Sequence, residues 1–303
     1  MGENRPAATK VARCSRINAM GHNGGMATDS QSSWNTFSRV NASQRWRRPS
    51  AAMGRAVTDA LVEEAGAQPG MAVLDIASGS GEPAISIAAL LNGTGRVIAT
   101  DISSAPLNVA RQRAAERGLT NIEFLPADVH SLPFPDDTFD RCVCRLGAMF
   151  FSDLPCAFGE VFRVLRSGGR FSVLAWGPMQ QPYFEATIGT IIRTFPKLSD
   201  LAHDVPMFKF GESGRLITAL HHVGFEDIRE RLQSIPWNWP DTPEDLWEYF
   251  QEVTIPFKPL FQALTSAERD KANTEVMNEL RKRYDGQQVR FDANMVLASA
   301  TKP

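Results

Sequence analysis

Cysteine is scarce in this chain: Cys14, Cys142, Cys144 and Cys156 are the only four in 303 residues. No two of them make a C-x-x-C pair and no four-ligand metal spacing occurs, so neither a disulfide framework nor a structural metal site is expected. Cys142 and Cys144 alternate along one face of a predicted strand and read as buried thiols, in keeping with a reducing, cytoplasmic setting. Long apolar runs are missing as well. None approaches the ~20 residues of a membrane-spanning helix, and the N-terminus lacks the apolar core of a secretory signal. No excess of one charge marks the whole chain: its formal net charge is −2, which excludes a general polyanion binder. The balance is uneven, since residues 1–50 carry eight Lys/Arg against Glu3 and Asp29. A solvated tail and helix explain that better than an arm for nucleic acid.

What is present is ordinary for a globular protein, with 43% hydrophobic and 22% charged residues. The length suits one large domain or one domain with a lid. Residues 1–33 are rich in Gly, Ser, Asn and Ala without apolar periodicity, so a disordered tail is expected, with Met26 a natural starting point. Residues 34–303 are then the folded domain. Trp34, Phe37, Val40 and Trp46 begin a helical pattern, and a second helix is predicted over 51–66; together 34–66 form N-terminal cap helices. From Met71 to Trp176 short apolar runs alternate with helical stretches. Such alternation predicts an α/β fold with a doubly wound, mostly parallel sheet and a ligand at the carboxyl ends of its strands. Beyond Gly177 the rhythm loosens, and 178–210 and 240–286 read as helical insertions that roof the sheet.

The stretch Met71 to Ala84 is central. Met71 to Ile76 is a buried-strand run that breaks into a turn holding Gly79 and Gly81, and Pro83 stands where a helix can begin. Strand, glycine turn and helix N-terminus bring backbone N–H groups up to a nucleotide-like ligand. Gly79-Ser80-Gly81-Glu82-Pro83-Ala84 satisfies the dinucleotide pattern G-x-G-x-x-G/A, a weak signal alone. Asp75, at the strand's end, points elsewhere: a carboxylate facing the mouth would repel a pyrophosphate and attract an ammonium. That favours S-adenosyl-L-methionine (SAM), which carries an ammonium and a sulfonium but no phosphate. Asp101 ends the second strand, where it can accept ribose hydroxyls for either ligand. Asp128 ends the third, where it can accept from an adenine amino group. A single acid at a strand end is commonly a cap; three at successive tips form an electronegative rim.

These residues carry a resemblance. Val73-Leu74-Asp75-Ile76-Ala77-Ser78-Gly79-Ser80-Gly81, Ala99-Thr100-Asp101-Ile102-Ser103, Ala127-Asp128, the run Leu132 to Asp140 and Arg163 to Arg170, in that order and spacing, resemble class I SAM-dependent methyltransferases of the ubiquinone/menaquinone-biosynthesis type. The likeness extends from about Trp34 to Lys302. It implies a Rossmann-like sheet of seven strands and SAM as cofactor. It also implies that Asp75 and the backbone of Ala77, Ser78 and Gly79, in the turn that Gly81 completes, hold the amino-acid end. Asp101 would bind the ribose, Ile102 pack on the adenine, and Asp128 with the Val129 N–H read the adenine edge. Arg145 would pass beneath the sulfonium through its backbone, and Trp34 and Phe37 would close over the cofactor. Ala77 departs from the pattern, since the family usually has a glycine there.

The implied reaction is methyl transfer, which rests on positioning and exclusion of water. A hydroxyl or enol-type acceptor must also lose a proton. His130, just past Asp128, is the first candidate base and His203 the second, while Glu160 reads as a helix-surface acid. Large apolar side chains in the roof, among them Tyr183, Phe184, Trp237 and Phe250, point to a small, largely apolar or aromatic acceptor methylated at oxygen or carbon. A nicotinamide-dependent oxidoreductase and a SAM-binding interaction protein without catalysis are the alternatives. Nucleic acid is disfavoured as a partner, because no Asn/Asp-Pro-Pro-aromatic motif follows the fourth strand. No metal and no integral membrane segment is expected, and a homodimer is left open.

Overall fold

The structure is a computed structural model that describes residues 44–203 and 205–303; the expected tail 1–33, Trp34 and Phe37 lie outside the described residues. The sheet is built from β1 (Ala72–Ile76), β2 (Arg96–Asp101), β3 (Ile122–Pro126), β4 (Phe139–Arg145), β5 (Leu165–Trp176), β6 (Glu226–Pro236) and β7 (Asp292–Thr301). They form one seven-stranded sheet in the order β3-β2-β1-β4-β5-β7-β6. Strands β1 to β5 run parallel, and β7 lies antiparallel to both β5 and β6. The helices used below are α1 (Arg47–Met53), α2 (Arg55–Ala65), α3 (Ala84–Leu90), α4 (Ser104–Glu116), α5 (Leu154–Val164), α6 (Arg215–His222), α7 (Pro243–Val253) and α8 (Ser266–Arg281).

All five residues of β1 are buried, as required of a central parallel strand covered on both faces. The chain leaves β1 toward β2 and β3 but returns to β4 on the other side. With right-handed crossovers, α3 and α4 then cover one face and α5 the other. This makes the gap between the β1 and β4 tips the topological switch point, where open α/β sheets bind ligands. Helix α2 packs across β4 and β5 on the α3 side, and α6 packs on α5.

Several boundaries differ from expectation for local reasons. The stretch 51–66 is two helices that meet at Gly54. Helix α5 ends at Val164, because Leu165 already pairs with Phe139 across the sheet. Ser167-Gly168-Gly169 is therefore an irregularity inside β5 rather than a helix stop, and Gly168 (φ 74°) and Gly169 exchange backbone bonds with Lys302. Roof residues 182–194 form a continuous helical run, π-helical at Glu185–Gly189, and α7 and α8 are separated by 3-10 and short helical turns. No helix among the described residues is long and apolar enough to cross a membrane.

Candidate functional site

Two turns face each other at the switch point, and both hold a non-glycine residue in the left-handed region: Ala77 at φ 57° after β1, and Leu146 at φ 56° after β4. Such backbone costs about 1–3 kcal/mol per residue and concentrates at functional sites. The turns also approach closely. A Cβ on Gly147 would stand 2.6 Å from Ala77 Cβ and 3.0 Å from Cys144 Sγ, so glycine is required opposite the Ala77 methyl. Gly81 (φ 106°) is pressed as tightly against the helices, its added Cβ lying 2.6 Å from Ile85 Cδ1 and 2.9 Å from Ala110 Cβ.

Asp75 does not face the mouth as expected. It is wholly buried beneath the glycine turn, and its Oδ2 accepts the Ala84 N–H at 3.1 Å, at the start of α3. Its Oδ1 and the neighbouring Ser78 Oγ are buried without a well-formed hydrogen bond. Burial pushes the Asp75 carboxyl up to about 7, against the opposing pull of the Ser78 hydroxyl, the Ala84 N–H and the Arg145 charge. The physical reason for the correction is the fully covered central strand: a residue on β1 proper is underneath the turn, not at its rim.

Asp101 does reach the rim. Its Oδ2 accepts from Gly79 N and its Oδ1 from Ser103 N, both at 2.9 Å, tying the β1 turn to the tip of β2. Ile102 beside it is 41% exposed, an apolar face open to a ring. Asp128 Oδ1 accepts from the backbone N–H of His130 at 2.9 Å and lies 2.7 Å from His130 Nδ1; the next residue, Val129, is buried.

His130 is engaged at both ring nitrogens. The Asp153 N–H, 3.3 Å away, points at Nε2, which makes Nε2 the acceptor and Nδ1 the donor to Asp128. The ring thus fastens the loop after β3 to the start of α5. His203 ends the short helix Asp200–His203, in the roof segment. Glu160 is not a surface acid: it accepts from Leu132 N at 2.9 Å and holds Arg163, whose guanidinium also donates to the carbonyls of Leu132 and Phe134. That pair braces the loop between Asp128 and β4.

Sequence reading also missed Arg113. It lies on the buried face of α4 with Leu107, Ala110 and Ala114, donates to the Ser80 carbonyl, and pairs with Glu82 at 3.0 Å. An arginine at the spacing of that apolar stripe was the available signal. For Arg145 the resemblance implies only a backbone role, and the structure shows where the side chain goes. Its side chain turns inward beneath α1 and α2, with Nε donating to the Glu82 carbonyl and Nη1 to Thr58 Oγ1, each at 3.3 Å. Burial lowers its pKa, against the charges of Glu82 and Asp75.

The geometry separates the two ligand readings. A pyrophosphate needs the free N–H groups of α3, but the Ala84 N–H is already taken by a carboxylate. The ubiE/COQ5 methyltransferase family matches residues 51–210, more than half of the chain. The chain belongs to that family. It is 38% identical over 176 residues to the ubiquinone/menaquinone biosynthesis C-methyltransferase UbiE of a Marinomonas species, covering 54% of this chain and 70% of that protein. It is 33% identical over 191 residues to an uncharacterized protein of Mycobacterium tuberculosis, covering 63% of this chain and 66% of that one, just under two thirds. Among solved structures, YcgJ of Bacillus subtilis superposes with a TM-score of 0.52 at 21% identity, covering 81% of this chain and 97% of its own. Phosphoethanolamine N-methyltransferase 2 of Haemonchus contortus, solved with SAM, gives 0.53 at 16% identity, covering 90% and 59%. These structural likenesses are of fold.

As a member of a SAM-dependent methyltransferase family, the protein has SAM as its cofactor, and its residues fit that ligand. The rim presents acceptors, Asp101 and Asp128, to a ligand rich in donors: ribose hydroxyls and an adenine amino group. Beneath the turn, the Asp75 Oδ1 and Ser78 Oγ, buried without a well-formed hydrogen bond, suit an ammonium.

Proposed function

We propose that the protein methylates a small, largely apolar or aromatic acceptor at oxygen or carbon. In this reading Asp75, Ser78 and the backbone of Ala77 and Gly79 hold the amino-acid end of SAM, Asp101 the ribose, and Ile102, Asp128 and Val129 the adenine. When bound, SAM supplies a methyl group made electrophilic by the sulfonium. The protein's own residues then orient the acceptor and keep water out.

The observation that carries the acceptor class is an aromatic wall beginning at the tip of β5. Trp176 stacks on Tyr183 at 6.1 Å and meets Phe184 at 4.8 Å and Trp237 at 5.2 Å edge-on. The β4 turn is tied to that strand, because Leu146 N donates to the Leu174 carbonyl at 2.7 Å. The wall therefore stands directly beside the switch point. His130, with both nitrogens engaged, serves this reading as the fastener of the adenine loop rather than as a base.

The test is transfer of radiolabelled methyl from SAM across a panel of phenols, quinols, polar amines, sugars and RNA. Labelling of the aromatic acceptors is expected; preference for the hydrophilic ones or for RNA would overturn the reading.

A further inference from the structure

Arg145 carries a half-buried positive charge with no ion pair among the described residues to balance it. Its two hydrogen bonds are long and go to neutral oxygens, the Glu82 carbonyl and the Thr58 hydroxyl. The acidic groups whose charge reaches it are Glu82, Asp75 and Tyr249. Glu82 is already paired with Arg113, itself a second cation near Arg145, and Asp75 is bound to Ala84 N. Among the described residues no carboxylate forms an ion pair with Arg145. A guanidinium has five N–H groups, and a cation partly withdrawn from water and held only by neutral partners is costly.

Donors without acceptors continue around it. A Cβ on Gly54, where α1 meets α2, would stand 2.9 Å from Arg145 Nη1 and 3.8 Å from the Trp237 ring, so guanidinium and indole share one spot beneath the cap. The indole nitrogen of Trp239 is buried with no hydrogen-bond partner, and that of Trp237, also buried, has only the Tyr183 hydroxyl near it and no well-formed bond. A cation, the unpartnered N–H of Trp239 and the poorly bonded N–H of Trp237 thus lie in an aromatic enclosure that starts at the last residue of β4. What such a place lacks is an oxyanion. His130, the candidate base of this rim, is engaged at both ring nitrogens.

We propose that Arg145 binds the acceptor through an anionic oxygen, and that the acceptors are phenolic or enolic hydroxyl compounds held as their oxyanions. This rests on the methyl-transfer reading and narrows its acceptor class. The hydroxyl proton passes to bulk water as the acceptor enters, the negative charge left on oxygen is balanced by the guanidinium, and no side chain has to take the proton.

The test uses the full chain loaded with S-adenosylhomocysteine (SAH) and 4-nitrophenol as probe, whose phenolate is read by its visible absorbance. Bound nitrophenol should ionise about 1–3 pH units below the free compound, as beside a close opposite charge. Arg145→Met should abolish that shift and weaken binding about tenfold or more, and Arg145→Lys should restore part of the shift. Thr58→Val, which removes only a neutral partner of the guanidinium, should retain it. An Arg145→Met protein that binds SAH normally and ionises nitrophenol as the wild type does would overturn the proposal. So would a wild-type SAH complex that ignores the probe. Failure of the wild type to bind SAH at all would instead overturn the methyl-transfer reading beneath it.

Discussion

Ala77 is the residue where the chain departs from the glycine usual at that place, and it sits at φ 57°. Left-handed backbone costs an L-residue roughly 1–2 kcal/mol, whereas glycine's extra flexibility costs roughly 0.5–1 kcal/mol. Ala77→Gly should therefore raise stability by up to about 1 kcal/mol in urea titration and leave SAH affinity unchanged or better. A large loss of SAH binding would show that the methyl group itself shapes the site. Asp75 makes a prediction of opposite character. Its carboxyl is raised from 3.8 to about 7 by burial, so the folded apo protein binds this proton more tightly than the unfolded chain does. Its contribution to stability is present at low pH and is lost as pH rises toward 7. An ammonium from the ligand favours the ionised form, so SAH affinity should increase by about tenfold from pH 6 to 8 and level off above. Asp75→Asn should flatten that profile in calorimetric titration; an unchanged profile would remove Asp75 from the amino-acid end.

Between elements, the contact to examine is that of the β1 and β4 turns. Gly147→Ala places a Cβ 2.6 Å from Ala77 Cβ, and overpacking of that kind costs about 1–3 kcal/mol. Because the closest clash is with one methyl, with Cys144 Sγ next at 3.0 Å, Ala77→Gly should rescue most of it, giving a coupling above about 1 kcal/mol in a double-mutant cycle. Additive effects would mean that the turns do not meet as described. The clamp from α4 works on the other side of the same turn. Arg113 and Glu82 have side chains only 8% and 11% exposed. Arg113→Met leaves the glutamate buried with Arg117 as a distant partner at 3.9 Å, so a loss of about 3 kcal/mol is expected, with weaker SAH binding as the turn loosens.

For the whole molecule, binding at the switch point joins the tips of β1, β2 and β3, so ligand should stabilise the fold globally. At a hundredfold excess over Kd the linkage amounts to about 2.7 kcal/mol, or about 5–10 °C in Tm for a chain of this size. SAH should produce that shift and NADH should not; the reverse outcome would restore the oxidoreductase. At this scale much was readable beforehand. Strand Ala72–Ile76 lies within the run Met71 to Ile76 that its apolar residues placed, and every residue of it is buried, because a parallel strand covered on both faces is apolar along nearly its whole length.

The amino-acid sequence by itself determined the sheet, its switch point and the three acids near it, since hydrophobic period and turn chemistry act over a few neighbouring residues. Only the tertiary structure decided what each charged side chain does. Asp75 lies under the turn instead of at the rim, because α3 and the turn close over β1. His130 fastens a loop, because α5 brings Asp153 N to its ring 23 residues along the chain. Arg145 points beneath α2, because Gly54 lets the cap approach it. Each of these outcomes depends on burial and on partners distant in sequence, which local pattern does not encode.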